Sequence, residues 1–488
     1  MLKSLHTLLA SMSILLGSAT AAAPPNIVFL MTDDQRWDSF GCYGRPEFKT
    51  QNIDKLATEG VIFDKAYYAV AICMPSRVTM MTGRYFANHE SGFTYPYNRE
   101  ITHEEFKDSY HARLKEAGYR SGFIGKFGFN VVGGQGSLKP YFDYFATHMR
   151  WPTDDKKLQE IYRGDRDRRE RTLKKGDAMI NFLDTQPKGQ PFVLSVSFDA
   201  VKNDSDQDMY PADFDVFKDQ MMTVPGNWVE GDNKKLPEVV QRHWRGFGLH
   251  RHYTQTPELY QTLARRFATQ GLTVDNQVGR LMKKLEEMGE LENTVIIFTS
   301  DNGRYHGSHG LFDKAILYEE AMRAPLIIWD GRNAKESKGK RVDALVSSTD
   351  MAPTILSIAG VEAPETMQGI DITGLLDGTA NREEWRDAVL MESLFLQEIH
   401  TAWVHGNKDI PGVNDAIMKG NRSYRCRGVR TDKYKYFRYY EHRPVIEELY
   451  DLEFDPLEQN NLVNNPKYQD VLESLRNRTE ELHSSVKR

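Results

Sequence analysis

The sequence predicts an α/β fold: a large mixed, mostly parallel sheet sandwiched by helices, followed by a smaller C-terminal antiparallel α+β subdomain. Three observations predict it. Continuous apolar runs of strand length, Asn26 to Met31, Phe192 to Phe198 and Thr294 to Ser300, have the composition of strands buried on both faces. They alternate with stretches of helical spacing, the order that builds a parallel sheet with helices on both sides. Past the polar, glycine-containing stretch Asp371 to Thr379 the pattern turns β-rich.

The 488 residues, 40% hydrophobic and 27% charged, supply ample material for one large core or two cores. A formal net charge of -6 excludes recruitment of nucleic acid by bulk electrostatics, so an anionic ligand needs a local basic pocket. Lys3, the apolar run Leu8 to Leu16 and the small residues Ser18 to Ala23 read as a signal peptide over residues 1–23, with Pro24 opening the mature chain. That run is short for a membrane span of ~20 residues and is broken by Ser11, Ser13 and Gly17. The expectation is export to a periplasm or the outside, with no stable membrane insertion. Three cysteines, Cys42, Cys73 and Cys426, are too few for a disulfide framework, and whether Cys42 and Cys426 pair is left open.

In chain order, the first strand ends in Thr32-Asp33-Asp34, at the carboxyl edge where open α/β sheets place their ligands. A helix near Ile53 to Thr58 and a strand Val61 to Tyr68 lead to Cys73. Phe106, Tyr110, Leu114 and Ala117 repeat at helical spacing, Gly118 closes that helix, and the strand Tyr119 to Gly125 delivers Lys126. Residues 154 to 177 interleave charges of both signs and read as a solvated helical insertion. The strand Phe192 to Phe198 runs into Asp199-Ala200-Val201-Lys202. A long polar region to Thr254 follows, with Trp228, Trp244 and His250-Arg251-His252, and it is read as a substrate-facing lid ahead of a plain surface insertion. A helix from about Leu259 to Met288 precedes the strand Thr294 to Ser300, which empties into Asp301-Asn302-Gly303. Strands Pro325 to Trp329 and Val342 to Val346 and a helix near Pro353 to Ala359 complete a main domain over residues 24–375. Residues 376–488 form the C-terminal subdomain, with strands Ala388 to Glu392, Arg427 to Arg430 and Tyr434 to Tyr440 and a helical tail from about Tyr468 to Leu482.

The chemistry concentrates at Cys73-Met74-Pro75-Ser76-Arg77, followed by Thr82-Gly83-Arg84. Pro75 suits a first helical turn, a helix N-terminus favours anions, and the Arg77 guanidinium matches the oxygen edge of a carboxylate, phosphate or sulfate. Asp33, Asp34, Asp301 and Asn302 offer hard oxygen ligands from two strand ends, a set suited to Ca²⁺ or Mg²⁺ rather than zinc.

The run Cys73 to Arg84 resembles the signature of the type I sulfatases, in which the cysteine is oxidised after translation to Cα-formylglycine. Ser300-Asp301-Asn302-Gly303 with Gly307-Ser308-His309-Gly310 and Lys314, and then Tyr318-Glu319-Glu320 to Arg323-Ala324-Pro325, is similar to the second motif of that family. Glu448-Leu449-Tyr450-Asp451-Leu452 with Asp455-Pro456 resembles its tail, so the resemblance spans essentially the whole mature chain. It implies an alkaline-phosphatase-like fold and a sulfuric ester hydrolase acting on a sulfated sugar or polysaccharide, matured by a formylglycine-installing enzyme. It also implies that Asp33, Asp34, Asp301, Asn302 and the modified Cys73 hold one divalent cation, Ca²⁺ ahead of Mg²⁺. Arg77, Lys126 and Lys314 would grip the nucleophile, the gem-diol of the hydrated aldehyde, and the sulfate oxygens.

Two positions depart from the family pattern. Gly125-Lys126-Phe127-Gly128 stands where Gly-Lys-Trp-His is common, and Val201-Lys202 where Pro-His is common. Lys202 would protonate the leaving oxygen or bind sulfate if its pKa were lowered by neighbouring cations, with His306 or His309 covering part of the role. The missing histidines motivate an alternative, a phosphonate or phosphodiester hydrolase with the same aldehyde chemistry. A non-catalytic glycan-binding relic is the third reading, and the intact set of ligands and cations argues against it.

Overall fold

The computed structural model describes residues 23–147, 156–161, 168–202, 209–229, 233–245, 252, 255–337 and 339–487. The stretch read as a signal peptide lies outside these residues except for Ala23, as do His250 and Arg251 of the expected lid. The main sheet is built from β1 (Asn26–Thr32), β2 (Val61–Tyr67), β5 (Arg120–Gly125), β6 (Tyr144–Thr147), β7 (Phe192–Ser197), β8 (Thr294–Ser300), β9 (Leu326–Asp330) and β10 (Lys340–Ser347), while β3 (Ser91–Thr94) and β4 (Tyr97–Asn98) form a separate hairpin. Its order is β10-β2-β9-β8-β1-β7-β5-β6, parallel throughout except for β9, which runs antiparallel to both neighbours.

Residue alternation shows how the helices cover this sheet. Ser195 of β7 accepts or donates hydrogen bonds with Tyr110 and His111 at 2.8 Å each, so the helix Tyr110–Glu116 covers its face. Its neighbour Leu194 points the other way, beside Gly122 and Phe182 of the helix Arg171–Asp184. That helix packs on Pro257–Met288, the longest in the fold. The charged insertion is therefore solvated only in part: Lys174 and Lys175 are buried, and Lys175 pairs with Asp199 at the end of β7. Residues 154–155 and 162–167 of it lie outside the described residues. The described part of the polar region that follows β7 is packed down, with Phe217 and Met222 buried against Tyr260. All three cysteines are free thiols.

Register places the site. In parallel pairing Thr32 lies opposite Ser300, Met31 opposite Ser197 and Gly125 opposite Ser197, so β1, β5, β7 and β8 end at one level. Asp33, Lys126, the Lys202 loop and Asp301 consequently leave the same edge of the sheet.

The C-terminal sheet is β11 (Ala388–Ser393), β12 (Cys426–Thr431), β13 (Tyr434–Tyr439) and β14 (Ile446–Asp451), antiparallel throughout. Val429, Tyr436 and Leu449 take Leu472 and Leu475 of the final helix, Gln469–Val486. Phe437, Tyr439 and Tyr450 face the main core instead. Buried Lys435 on β13 reaches Glu319 and Glu458 at 2.8 Å each, and Glu458 accepts the backbone N–H of Glu319 at 2.6 Å. This ties the small sheet to the segment just past Lys314. Removing that cation leaves buried Glu458 without its ion-pair partner and Glu319 with Arg430 at 3.4 Å alone, which costs about 3–5 kcal/mol. Lys435→Met should lower the urea-unfolding free energy by about that amount, and a loss below about 1 kcal/mol would show that the pair is not a structural tie.

Candidate active site

Cys73 opens the helix Cys73–Thr82, every residue of which is buried. Ile72 is extended ahead of it, Pro75 falls in the first turn where its missing N–H breaks no bond, and Gly83 closes the helix with φ +66°. Asp34 adopts φ +61°, a left-handed conformation that an aspartate tolerates, and its N–H donates to Asp301 Oδ1 at 3.1 Å. One ligand atom from each of Asp33, Asp34, Cys73 and Asp301 lies within 4.8 Å of the others, all buried. Cys73 Sγ is 3.7 Å from Asp33 Oδ1 and 3.9 Å from Asp34 Oδ1.

Cations surround this cluster. Arg77 donates through Nε to Asp301 Oδ2 at 2.9 Å and through Nη2 to Asp33 Oδ2 at 3.2 Å, and its Nη1 is held by the Lys126 carbonyl and Ser197 Oγ at 2.5 Å each. Lys126 pairs with Asp33, and Lys314 with Asp34, while Lys314 Nζ sits 3.1 Å from Cys73 Sγ. Lys202 Nζ lies 3.6 Å from both Cys73 Sγ and Asp33 Oδ1. Its loop is fixed by backbone bonds, Asp33 N–H to the Ala200 carbonyl at 2.8 Å and Val201 N–H to the Asp33 carbonyl at 3.0 Å. Arg304 adds a fifth cation, 3.5 Å from Asp34 Oδ2 and donating to the Lys202 carbonyl at 2.7 Å. Sequence reasoning passed over it, although it directly follows Ser300-Asp301-Asn302-Gly303. Five cations facing three carboxylates make a pocket for a further anion.

Burial opposes the charge of each carboxylate, and the cations decide the outcome. Burial pushes Asp33 up, but Lys126 and Lys202 outweigh it and hold the carboxyl at about 2. Asp34 is held well below the ordinary value in the same way, chiefly by Lys314. Burial and the Asp33 charge leave Asp301 raised. Lys202 is raised well above its usual value by Asp33 and Cys73. The expected acid role rested on neighbouring cations lowering this pKa, whereas the carboxylate of Asp33 at 3.6 Å favours the charged form, which suits the other expected role of binding sulfate.

The other histidine expectations also change. The loop after Asp301 doubles back, with Tyr305 N–H bonded to the Asp313 carbonyl and Gly307 N–H to the Leu311 carbonyl, so Lys314 returns to the carboxylates while His306 and His309 ride on the turn. His306 is stacked on Phe267 at 3.8 Å between centroids, and burial, with Arg304 beside it, holds it well below its usual pKa. His309 is 3.5 Å from Glu320 Oε2 and stacks on Tyr318. Among the described residues no hydrogen bond joins either ring to Cys73, Asp33 or Asp34.

Hard oxygens fit an alkaline-earth ion. Asn302 donates through Nδ2 to Asp34 Oδ1 at 2.7 Å, while its buried Oδ1 has no hydrogen-bond partner among the described residues and can act as a ligand. A thiol is a poor ligand for such an ion, whereas an oxidised side chain at position 73 would present oxygen.

The fold and this edge define a class: an alkaline-phosphatase-like hydrolase built around a buried acidic cluster ringed by cations. A family model described as Sulfatase matches residues 25–361, and one described as N-sulphoglucosamine sulphohydrolase, C-terminal, matches residues 418–485. The chain is 29% identical to an N-acetylglucosamine-6-O-sulfatase of Bacteroides thetaiotaomicron, covering 95% of this chain and 87% of that protein. It is 26% identical to an arylsulfatase of Clostridium perfringens, covering 93% of each. A solved structure in complex with D-glucosamine-2-N,6-O-disulfate superposes with a TM-score of 0.72 at 26% identity, over 95% of this chain and 98% of that one. A phosphonate monoester hydrolase of Agrobacterium radiobacter shares the fold, with a TM-score of 0.68 at 20% identity over 95% and 96%. The chain belongs to the sulfatase family and is a sulfuric ester hydrolase.

The departure at Gly128 has a structural cause. Its φ is +85°, and a Cβ there would lie 2.6 Å from Arg77 Cδ, so the backbone gives this space to the guanidinium stem rather than to a histidine. Gly128→Ala should displace Arg77 and lower kcat/KM on 4-nitrophenyl sulfate by about 10²-fold, the typical cost of an ångström-scale misplacement. Wild-type turnover in the variant would show that Arg77 does not need that space.

Proposed function

We propose that this chain is an exported sulfatase that removes sulfate from a sulfated carbohydrate, using a Cα-formylglycine made from Cys73 and one divalent cation, Ca²⁺ ahead of Mg²⁺. The observation that carries this reading is the position of Cys73 Sγ, next to Asp33, Asp34, Lys202 and Lys314 at the start of a buried helix. The sugar class rests on the relatives: one is an N-acetylglucosamine-6-O-sulfatase, and two from Formosa agariphila are ulvan-active sulfatases. Relatives from Caenorhabditis elegans and Drosophila melanogaster are extracellular sulfatases or homologues of them, which fits the N-terminal signal pattern. No described helix is long and apolar enough to cross a membrane. The domain border is placed at residues 371–379.

Asp33, Asp34, Asp301 and Asn302, with an oxygen at position 73, would hold the cation. When bound, the cation supplies positive charge against the sulfate oxygens, and the aldehyde supplies a hydrated nucleophile that a thiol cannot. The rest is done by the chain itself. Arg77 is buried and locked at all three nitrogens, which fixes the orientation of its neighbours. Lys126 and Lys314 meet the sulfate oxygens from two sides, and such preorganised charge is usually the largest catalytic contribution. Lys202, the half-exposed member, stands where the alcohol leaves and stabilises charge on that oxygen as a cation.

Paired aryl esters test the reading. Turnover of 4-nitrophenyl sulfate should exceed that of the matching phenylphosphonate ester, and the intact mass of the peptide bearing Cys73 should show the thiol exchanged for an aldehyde. Faster phosphonate cleavage, or an unmodified thiol in active enzyme, would overturn it.

A further inference from the structure

The strands β11 and β12 are antiparallel neighbours, which a loop of a few residues could join. Instead residues 394–425 lie between them and form two helices, Gln397–Val404 and Ile410–Lys419. The sheet does not require this insertion, yet it is firmly anchored. Buried Arg425 donates to the Leu394 carbonyl at 3.0 Å, to the Tyr95 carbonyl at 2.6 Å and to Asn414 Oδ1 at 3.3 Å, and it pairs with Glu441. The two ends of the insertion and the β3–β4 hairpin are thereby fixed to one another.

The first helix carries its aromatic groups toward the active site. Phe395 and Phe93 pack on a buried cluster that contains Ile72 and Ala315, the chain neighbours of Cys73 and Lys314. His400 sits edge-on to Phe93, with centroids 6.1 Å apart, and 5.8 Å from Phe395. Trp403 follows at 6.1 Å from His400, and it is 63% exposed, with Val404 beside it 58% exposed. Burial and then the Lys202 ammonium lower the His400 imidazole from its usual value. A line of packed groups thus runs from the chain neighbours of Cys73 and Lys314 through Phe93, Phe395 and His400 to an exposed indole.

Building on the sulfated-carbohydrate reading above, we infer that His400 and Trp403 form a shelf for the saccharide next to the sulfate: the His400 ring hydrogen-bonds sugar hydroxyls and the Trp403 indole stacks on a ring face. A flat aromatic surface beside a polar ring matches the two sides of a sugar, one apolar with C–H groups and one hydroxylated. Such contacts lie away from the reacting sulfur, so they contribute to binding more than to the chemical step.

The test measures kcat and KM on 4-nitrophenyl sulfate and on a panel of sulfated glucosamine, galactosamine and ulvan oligosaccharides, taking forward the sugar that the wild type turns over best. Trp403→Ala should raise KM for that sugar about tenfold with kcat within about twofold, while Trp403→Phe recovers most of the loss and 4-nitrophenyl sulfate is unaffected. His400→Ala should show the same substrate selectivity. Equal losses on both substrates, or no loss on either, would overturn the shelf. So would turnover of 4-nitrophenyl sulfate with none of any sugar. Failure of the wild type on every sulfate ester would overturn the sulfatase reading beneath it.

Discussion

Three aspartates buried within reach of one another are the constraint on which the rest of the structure depends. Carboxylates at Asp33, Asp34 and Asp301 repel each other and lose their hydration, a cost of several kcal/mol per ion unless it is offset locally. The fold offsets it by directing Arg77, Lys126, Lys202, Arg304 and Lys314 at the same point. Parallel register makes this convergence geometrically cheap, because four strand ends at one level deliver their following residues to one cleft. The excess of cations then defines the chemistry, since a site over-neutralised in this way retains affinity for a tetrahedral anion.

The C-terminal sheet stabilises this arrangement from outside it. Glu448 on β14 accepts hydrogen bonds from the hydroxyls of Tyr318 at 2.8 Å and Tyr439 at 2.7 Å, and from Tyr450 as well, in a fully buried network. With Lys435, Glu319 and Glu458 it braces the chain immediately after Lys314. The same region carries the insertion of residues 394–425 beside the catalytic cleft. One subdomain thus serves both as a brace for the catalytic loop and as the platform for a substrate-facing surface.

Much of this was legible in the sequence, and for identifiable reasons. Strands buried on both faces leave continuous apolar runs, so β1, β7 and β8 stood out, and the polar residues after each pointed to the sheet edge. The ligands and cations sit in short motifs next to those runs. What escaped was set by distant contacts. The four-residue β6 has no periodicity of its own, and β14, at Ile446–Asp451, carries a buried Glu448 that is satisfied by Tyr450 on the same strand and by Tyr318 and Tyr439 from elsewhere. The place of Lys202 beside Asp33 follows from backbone pairing between Asp33 and the Ala200–Val201 turn, which no local pattern announces. His306 and His309 drew attention through their motif, yet the doubling back of that loop places them on its turn and out of hydrogen-bonding contact with Cys73. The helices Gln397–Val404 and Ile410–Lys419 were missed because the sheet on either side of them gave no reason to expect an insertion.

Locating a bound cation tests the central claim most directly, by a crystal structure of the matured protein saturated with calcium. The account predicts one cation coordinated by Asp33, Asp34, Asp301 and Asn302, with an oxygen of residue 73 completing the set. A cleft without a cation under those conditions, or calcium seated only at the other buried acidic cluster of His309, Glu320 and Glu458, would contradict it.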